Sequence, residues 1–370
     1  TAYEIRLSLV GSEMCIRDRT NTHIISSNYS LSEQMAVISN LDVMISMDSA
    51  NGHIASLFGV NVITVWGATH PFTGYSPFNQ PEKNSIIPDL NFIEYGGGQI
   101  AYRESGQGPT ILLFHGMNGS SKSWATLFNS LGDKFRLVAW DAPSFGESDV
   151  FGDSIEDYTN AAKALISSLE VEDIIIIGHS MGGLIATRLA GDKDVSLAGL
   201  VLSSCHLGFG RPKGEALMSR YADRIDALTE REVNMSYALE RAQRSTPEGT
   251  PKHVREYLVE VAKGARMESI RDGGRMSQET DNSHICKNIK VPVIILSGGK
   301  DKIISPDMHD ALITALPEAE QVVFPEAGHA SYVEFPKLFQ KQVEVLAKKV
   351  WKPKHSNSKL NNNSNIFREE

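Results

Sequence analysis

Cysteine is scarce in this chain: Cys15, Cys205 and Cys286 are the three among 370 residues. An odd, scattered set builds neither a disulfide framework nor a zinc site, so no metal is expected and a reducing, cytoplasmic setting is. Long apolar runs are missing as well, since none approaches the roughly 20 residues of a membrane-spanning helix. Basic charge is in deficit, with 36 Lys and Arg against 45 Asp and Glu and a formal net charge of -9. That balance disfavours a nucleic-acid backbone or an anionic membrane surface as the main partner and favours a small organic molecule. The start has charges where a signal peptide needs an apolar region, and it lacks an initiator Met. No motif speaks to the oligomeric state.

What is present divides unevenly. Residues 1–19 contain SLVGSEMCIRDR, show no period of 2 or 3.6, and resemble translated sequencing adapter, an artefactual leader. From 20 to 88 the pattern becomes LDVMISM, then DSANGHIASLFG, then VNVITVWG: a strand, a turn into a helix, and another strand. This αβ fragment resembles the C-terminal end of a heptosyltransferase-like glycosyltransferase. There an Asp-Ser turn and a nearby His, here Asp48, Ser49 and His53, lie against a nucleotide-sugar diphosphate at a helix N-terminus. The rest of such an enzyme is missing, which counts against transferase activity and against a bifunctional fusion. QPEKNSIIP (80–88) reads as a linker, and the Asn-rich 352–370 tail reads as disordered.

Between 89 and 351 lies a different pattern. NFIEY and QIAYRE join at Gly96-Gly97-Gly98 as a hairpin, followed by the apolar runs TILLF, RLVAW, DIIIIG, AGLVLS and VPVIILS with helical stretches between them. Runs apolar on both faces suit parallel strands covered by helices, and such α/β sheets bind ligands at the strand carboxyl ends. Polar residues follow the strands at those ends: His115-Gly116, Asp141, Ser180, Cys205-His206 and Asp301.

In DIIIIGHSMGGL, a serine at the apex of a strand-to-helix turn needs small residues two before and two after it, and Gly178 and Gly182 stand there. GHSMGG after a run of isoleucines resembles the nucleophile elbow of the α/β-hydrolase fold. The same family orders its triad as Ser, acid, His, and ILSGGKDKI (Asp301) and PEAGHASYVEFP (His329) follow in that order. LLFHGMNGSS resembles the family's oxyanion loop. The resemblance covers about 260 residues and implies an α/β-hydrolase fold, a mostly parallel sheet with helices on both faces and a helical cap.

It further implies a serine hydrolase acting on an ester, lactone or related carbonyl compound, without metal or cofactor. Ser180 would be the nucleophile, His329 the base and Asp301 its orienting acid, with the N–H groups of Met117 and Met181 forming the oxyanion hole. His115, Gly116, Gly178 and Gly182 would support these from behind. In WDAPSFGESD, which resembles the family's D-x-x-G-x-G-x-S turn, Ser144 stands where Gly is usual and is expected to alter the backbone. His179 and Cys205 are expected to pack or line the pocket. The helical stretch at about 206–286 would form the cap, with Met218, Tyr221, Met235 and Tyr237 packing it or lining a mostly apolar cavity. Dehalogenases and epoxide hydrolases of this fold need an Asp at position 180 and are disfavoured. A carbon–carbon bond hydrolase or enol-lactonase stays an alternative, as does a non-catalytic ligand receptor, which predicts a broken triad.

Overall fold

The computed structural model describes residues 4–7, 22–25, 30–47, 50–65, 87–229 and 235–351. Asp48 and Ser49, the 352–370 tail and nearly all of the 80–88 linker lie outside these residues, and of His53 only the helical backbone is described. In the front part, β1 (Glu4–Leu7) pairs in parallel with β2 (Thr22–Ile25). α1 (Leu31–Ile38) starts at a capping box in which Ser30 and Glu33 satisfy each other's backbone N–H groups. β3 (Val43–Met47), α2 (Ala50–Leu57) and β4 (Asn61–Val65) form a βαβ unit with parallel strands. Ile38, Met44, Ala55, Val60 and Val62 make its small core.

The second part begins with the hairpin β5 (Leu90–Tyr95) and β6 (Gly98–Ser105). Its turn residues Gly96 and Gly97 have φ of 57° and 85°, as a tight hairpin turn requires. Then follow β7 (Thr110–Phe114), α3 (Ala125–Leu131), β8 (Arg136–Trp140), α4 (Ile155–Ser168), β9 (Ile174–His179), α5 (Met181–Ala190) and β10 (Leu197–Ser203). Four helices, α6 (Ser219–Thr229), α7 (Met235–Ser245), α8 (Lys252–Lys263) and α9 (Met267–Glu279), are inserted before β11 (Val293–Gly298). α10 (Pro306–Ala315), β12 (Glu320–Phe324), α11 (Ser331–Glu334) and α12 (Pro336–Val350) are the last elements among the described residues.

The eight strands run in the order β12-β11-β10-β9-β7-β8-β6-β5, parallel except where β6 meets β5 and β8. The four isoleucines of β9 explain themselves by the strand's period of two. Ile175 and Ile177 join one core with α3 and α12, while Ile174 and Ile176 join the other with α4, α5 and α10. Each is fully buried, worth about 1.5–3 kcal/mol apiece over exposure. After β7 the chain crosses to β8 on one side and then returns to β9 on the other. The loops following β7 and β9 therefore diverge at the switch point, where α/β sheets leave a crevice at the strand carboxyl ends.

Candidate active site

At the end of β9 the backbone of Ser180 has φ 51° and ψ -116°, a region that strains any residue with a side chain. Two neighbours make the bend possible. A Cβ on Gly178 would stand 2.6 Å from the Cα of Gly183, and one on Gly182 would overlap the carbonyl oxygen of Phe114. The Ser180 N–H is tied to the Ser203 carbonyl at 2.9 Å. Ser180 occupies the N-cap position of α5, yet its side chain makes no capping bond. Serine at an N-cap ordinarily accepts an N–H from the first turn, so the hydroxyl is withheld from the structural task its position offers.

His329 is delivered by the loop after β12 and Asp301 by the loop after β11. Nδ1 of His329 lies 2.9 Å from Oδ2 of Asp301, with both side chains nearly inaccessible. Oδ1 of Asp301 accepts the N–H groups of Ile303 at 2.7 Å and Ile304 at 3.2 Å. Burial works against the Asp301 charge, but the imidazole of His329 and these N–H groups outweigh it and hold the carboxyl below the ordinary range. His329 is anchored twice over. Its own N–H donates to the Ser245 carbonyl at 2.8 Å, at the end of α7. The Glu334 carboxylate accepts the flanking N–H groups of Gly328 at 3.0 Å and Ala330 at 3.1 Å.

The loop after β7 is organised by His115. Its Nε2 accepts the Ala142 N–H at 3.0 Å, so the proton is on Nδ1, which donates to the Gly116 carbonyl at 2.9 Å. Burial pushes its pKa down and keeps the ring neutral. Met117 on this loop and Met181 at the head of α5 line the same cavity as Ser180 and His329. As the first residue of a helix, Met181 has an N–H with no intrahelical acceptor. Asp141 accepts the N–H groups of Ser121 at 2.5 Å and Glu147 at 2.9 Å, closing the turn that follows β8.

Ser144 holds a left-handed backbone, with φ 70°, a region that glycine enters without strain. Its hydroxyl donates to Oδ2 of Asp272 at 2.7 Å, while Ser269 donates to the Ser144 carbonyl at 2.6 Å. Core and cap are thus bonded through this residue. His179 packs between the rings of His329 and Tyr332, at centroid distances of 4.8 and 4.9 Å, and Cys205 is buried against Gly183.

Helices α6 to α9 cover the strand ends, and the inner chamber holding Ser180 and His329 is more apolar than polar, as expected, whereas the outer cavity is more polar. Tyr221 does line the inner chamber and Tyr237 the outer cavity, where its hydroxyl also bonds Asn118 at 2.7 Å; Met235 is exposed and Met218 packs within the cap. Within that largely apolar wall stand three charged residues that the sequence reading passed over, Arg220, Arg224 and Arg241. Helical spacing read for apolar residues passes over charges on the same face: Arg220 and Arg224 are one turn apart beside Tyr221, and Arg241 is one turn beyond Tyr237. His206 also lines the chamber, and burial, aided by Arg220, lowers its pKa to about 4.

An elbow serine on a mostly parallel sheet, below a helical cap, is the arrangement of an α/β hydrolase. The family model described as alpha/beta hydrolase fold matches residues 109–336, and the chain belongs to that family. A second model, glycosyltransferase family 9 (heptosyltransferase), matches residues 15–88, beginning inside the 1–19 segment. An uncharacterised protein of Mycobacterium tuberculosis is 27% identical over 293 residues, covering 72% of this chain and 83% of that protein. A pimeloyl-[acyl-carrier protein] methyl ester esterase of Pectobacterium carotovorum is 24% identical over 256 residues, covering 67% and 98%. Among solved structures, a thermophilic esterase from Thermogutta terrifontis aligns with a TM-score of 0.61 at 25% identity, covering 71% of this chain and 98% of that one. No helix among the described residues is long and apolar enough to cross a membrane.

Proposed function

We propose that the protein is a serine hydrolase that cleaves a small-molecule ester, lactone or related carbonyl compound through an acyl-enzyme on Ser180. The observation that carries this reading is the Ser180 hydroxyl. It sits on a strained turn at a helix N-terminus, caps nothing, and shares a cavity with His329, whose Nδ1 is occupied by Asp301. With Nδ1 holding its proton toward Asp301, Nε2 is the nitrogen left to take the serine proton as Ser180 attacks the carbonyl carbon. Charge developing on the carbonyl oxygen is met by the N–H groups of Met117 and Met181, each such donor being worth about 10²–10³ in kcat. His329 then returns the proton to the leaving group, and water, deprotonated by the same imidazole, releases the acid.

Residues 89–351 form the hydrolase domain on this reading, with the cap at about 206–286. A non-catalytic receptor would not need the strain at Ser180 or the ion pair behind His329. The name of the methyl ester esterase relative favours ester over carbon–carbon cleavage. The buried, unpaired Cys205 and Cys286, with thiols pushed up to about 12 and about 11, suit a reducing cytoplasm. Exposure of the full chain to a fluorophosphonate probe tests the reading, with mapping of the adduct and turnover of p-nitrophenyl acetate alongside. Label on Ser180 and its loss in Ser180→Ala are expected; an unlabelled protein, or label that survives the substitution, overturns it.

A further inference from the structure

We propose that this site takes a substrate with an anionic head group, a carboxylate or a phosphate, held by Arg220, Arg224 and Arg241 on the cap side of Ser180. The inference rests on the reading of Ser180 as nucleophile and adds the substrate class.

All three arginines line the inner chamber of about 90 Å³ together with Ser180 and His329. All three also line the outer cavity of about 470 Å³. They therefore stand at the junction of the two spaces. The charged residues around the outer cavity are Arg220, Arg224, Arg241, Arg244 and Lys302 against Asp223 and Glu240. Five cations against two anions leave an excess of three positive charges, in a chain whose formal charge is -9.

The cluster is poorly matched from within. Glu240 is bonded to Arg241 and lies 3.7 Å from Arg244, so one carboxylate is shared between two guanidiniums. Among the described residues, no ion pair engages Arg220 or Arg224. The Nε atoms of Arg224 and Arg241 are buried without a hydrogen-bond partner. Arg220 and Arg224 stand one turn apart on α6, a spacing at which like charges repel. Burial, reinforced by Arg241 and Arg220, pulls the Arg224 pKa down. Aromatic rings give partial support: the Arg220 guanidinium lies 4.9 Å from the Phe209 ring centre and that of Arg224 5.8 Å from the Tyr221 ring centre.

Arginines that serve only the fold find carboxylates or carbonyls inside the protein, because an unpaired buried cation is costly. Here convergent guanidiniums with open donors face the cavity of the nucleophile, the arrangement that binds an oxyanion through charge-assisted bonds. The inner chamber is small, about 90 Å³, which suits a compact substrate with its anion a few carbons from the scissile carbonyl.

The test compares p-nitrophenyl hemiglutarate with its neutral counterpart p-nitrophenyl pentanoate on the full chain. A kcat/KM at least tenfold higher for the anionic ester is expected, and that ratio should fall at least tenfold in Arg224→Gln and in Arg220→Gln, with Arg224→Lys retaining part of it. Binding of glutarate, inorganic phosphate and neutral glutaramide to Ser180→Ala, measured by calorimetry, reads the arginines without catalysis. Glutarate or phosphate should bind at least tenfold more tightly than glutaramide, and which of the two binds better assigns the head group. If Ser180→Ala still hydrolysed either ester, the nucleophile reading would fail while the binding measurement still judged the arginines. If Ser180 is labelled and both esters turn over equally, with no anion binding, the anionic-substrate inference alone is overturned. Should Arg224→Gln fail to fold, as checked by circular dichroism, Arg220→Gln and Arg224→Lys decide the question.

Discussion

Asp301 divides its carboxylate between His329 and the backbone: Oδ2 lies 2.9 Å from the imidazole Nδ1, and Oδ1 accepts the Ile303 N–H at 2.7 Å. Neither oxygen can rotate away without breaking two bonds at once, so the carboxylate fixes both the position and the tautomer of the ring. Asp301→Asn places an amide where a proton acceptor is needed and favours the wrong tautomer. A fall in kcat of about 10³–10⁴ is expected, with a much smaller change in KM, in steady-state kinetics on a p-nitrophenyl ester. The same depressed pKa gives a stability that is present above the unfolded carboxylate value and is lost as pH falls through the folded one. Acid unfolding of Asp301→Asn should lack that component.

His206 governs a different pH window. Its Nδ1 accepts the Gly208 N–H at 3.0 Å, and burial lowers its pKa from 6.5 to about 4. Between those values the unfolded chain binds a proton that the folded one does not, so stability rises with pH there and falls on acidification. The shift corresponds to a loss on the order of 3 kcal/mol between neutral pH and pH 4. Urea denaturation across that range should show His206→Asn losing less stability than the parent, with the curves converging below pH 4 apart from a constant offset. Parallel curves throughout would contradict a buried neutral imidazole.

The strands and the elbow were legible because their signals are local. Four isoleucines announce a doubly covered strand, and Gly178 and Gly182 announce a crowded turn, each within a dozen residues. Asp301 and His329 were legible through their order along the chain, although 28 positions separate them. The arginine cluster was not. Its members lie on two helices of a cap whose orientation over the sheet no local pattern encodes, and Arg is unremarkable on any amphipathic helix until its face is known to point inward. The bond from Ser144 to the cap is hidden for a related reason: its partner Asp272 is 128 positions away.

Ser144 holds a left-handed conformation that Gly would adopt without strain, yet its hydroxyl bonds a carboxylate that is only 4% exposed. These effects oppose each other. Ser144→Ala keeps the strain and removes the bond, leaving one oxygen of a buried carboxylate without its hydroxyl partner, at a cost of about 1–3 kcal/mol. Ser144→Gly loses the same bond but relieves the strain, worth roughly 1 kcal/mol. Chemical denaturation should therefore rank the parent above Ser144→Gly and Ser144→Gly above Ser144→Ala. If the glycine variant were the most stable of the three, the bond to the cap would contribute less than the strain it requires.

Glu334 controls the histidine without being placed to touch substrate. Its Oε1 accepts both Gly328 and Ala330, the residues on either side of His329, at 3.0 and 3.1 Å. Burial raises its pKa, while the two N–H groups work in the opposite sense. Truncation in Glu334→Ala leaves both N–H groups without an acceptor and frees the loop, so a stability loss of about 1–3 kcal/mol is expected. A 1 Å displacement of a catalytic group can cost about 10² in rate, so kcat should fall by one to two orders of magnitude, with KM changed far less. Glu334→Gln keeps a carbonyl oxygen in place and should recover most of the activity. Equal impairment of the two variants, or a loss of stability without any change in kcat, would mean that the carboxylate braces the fold and not the position of His329.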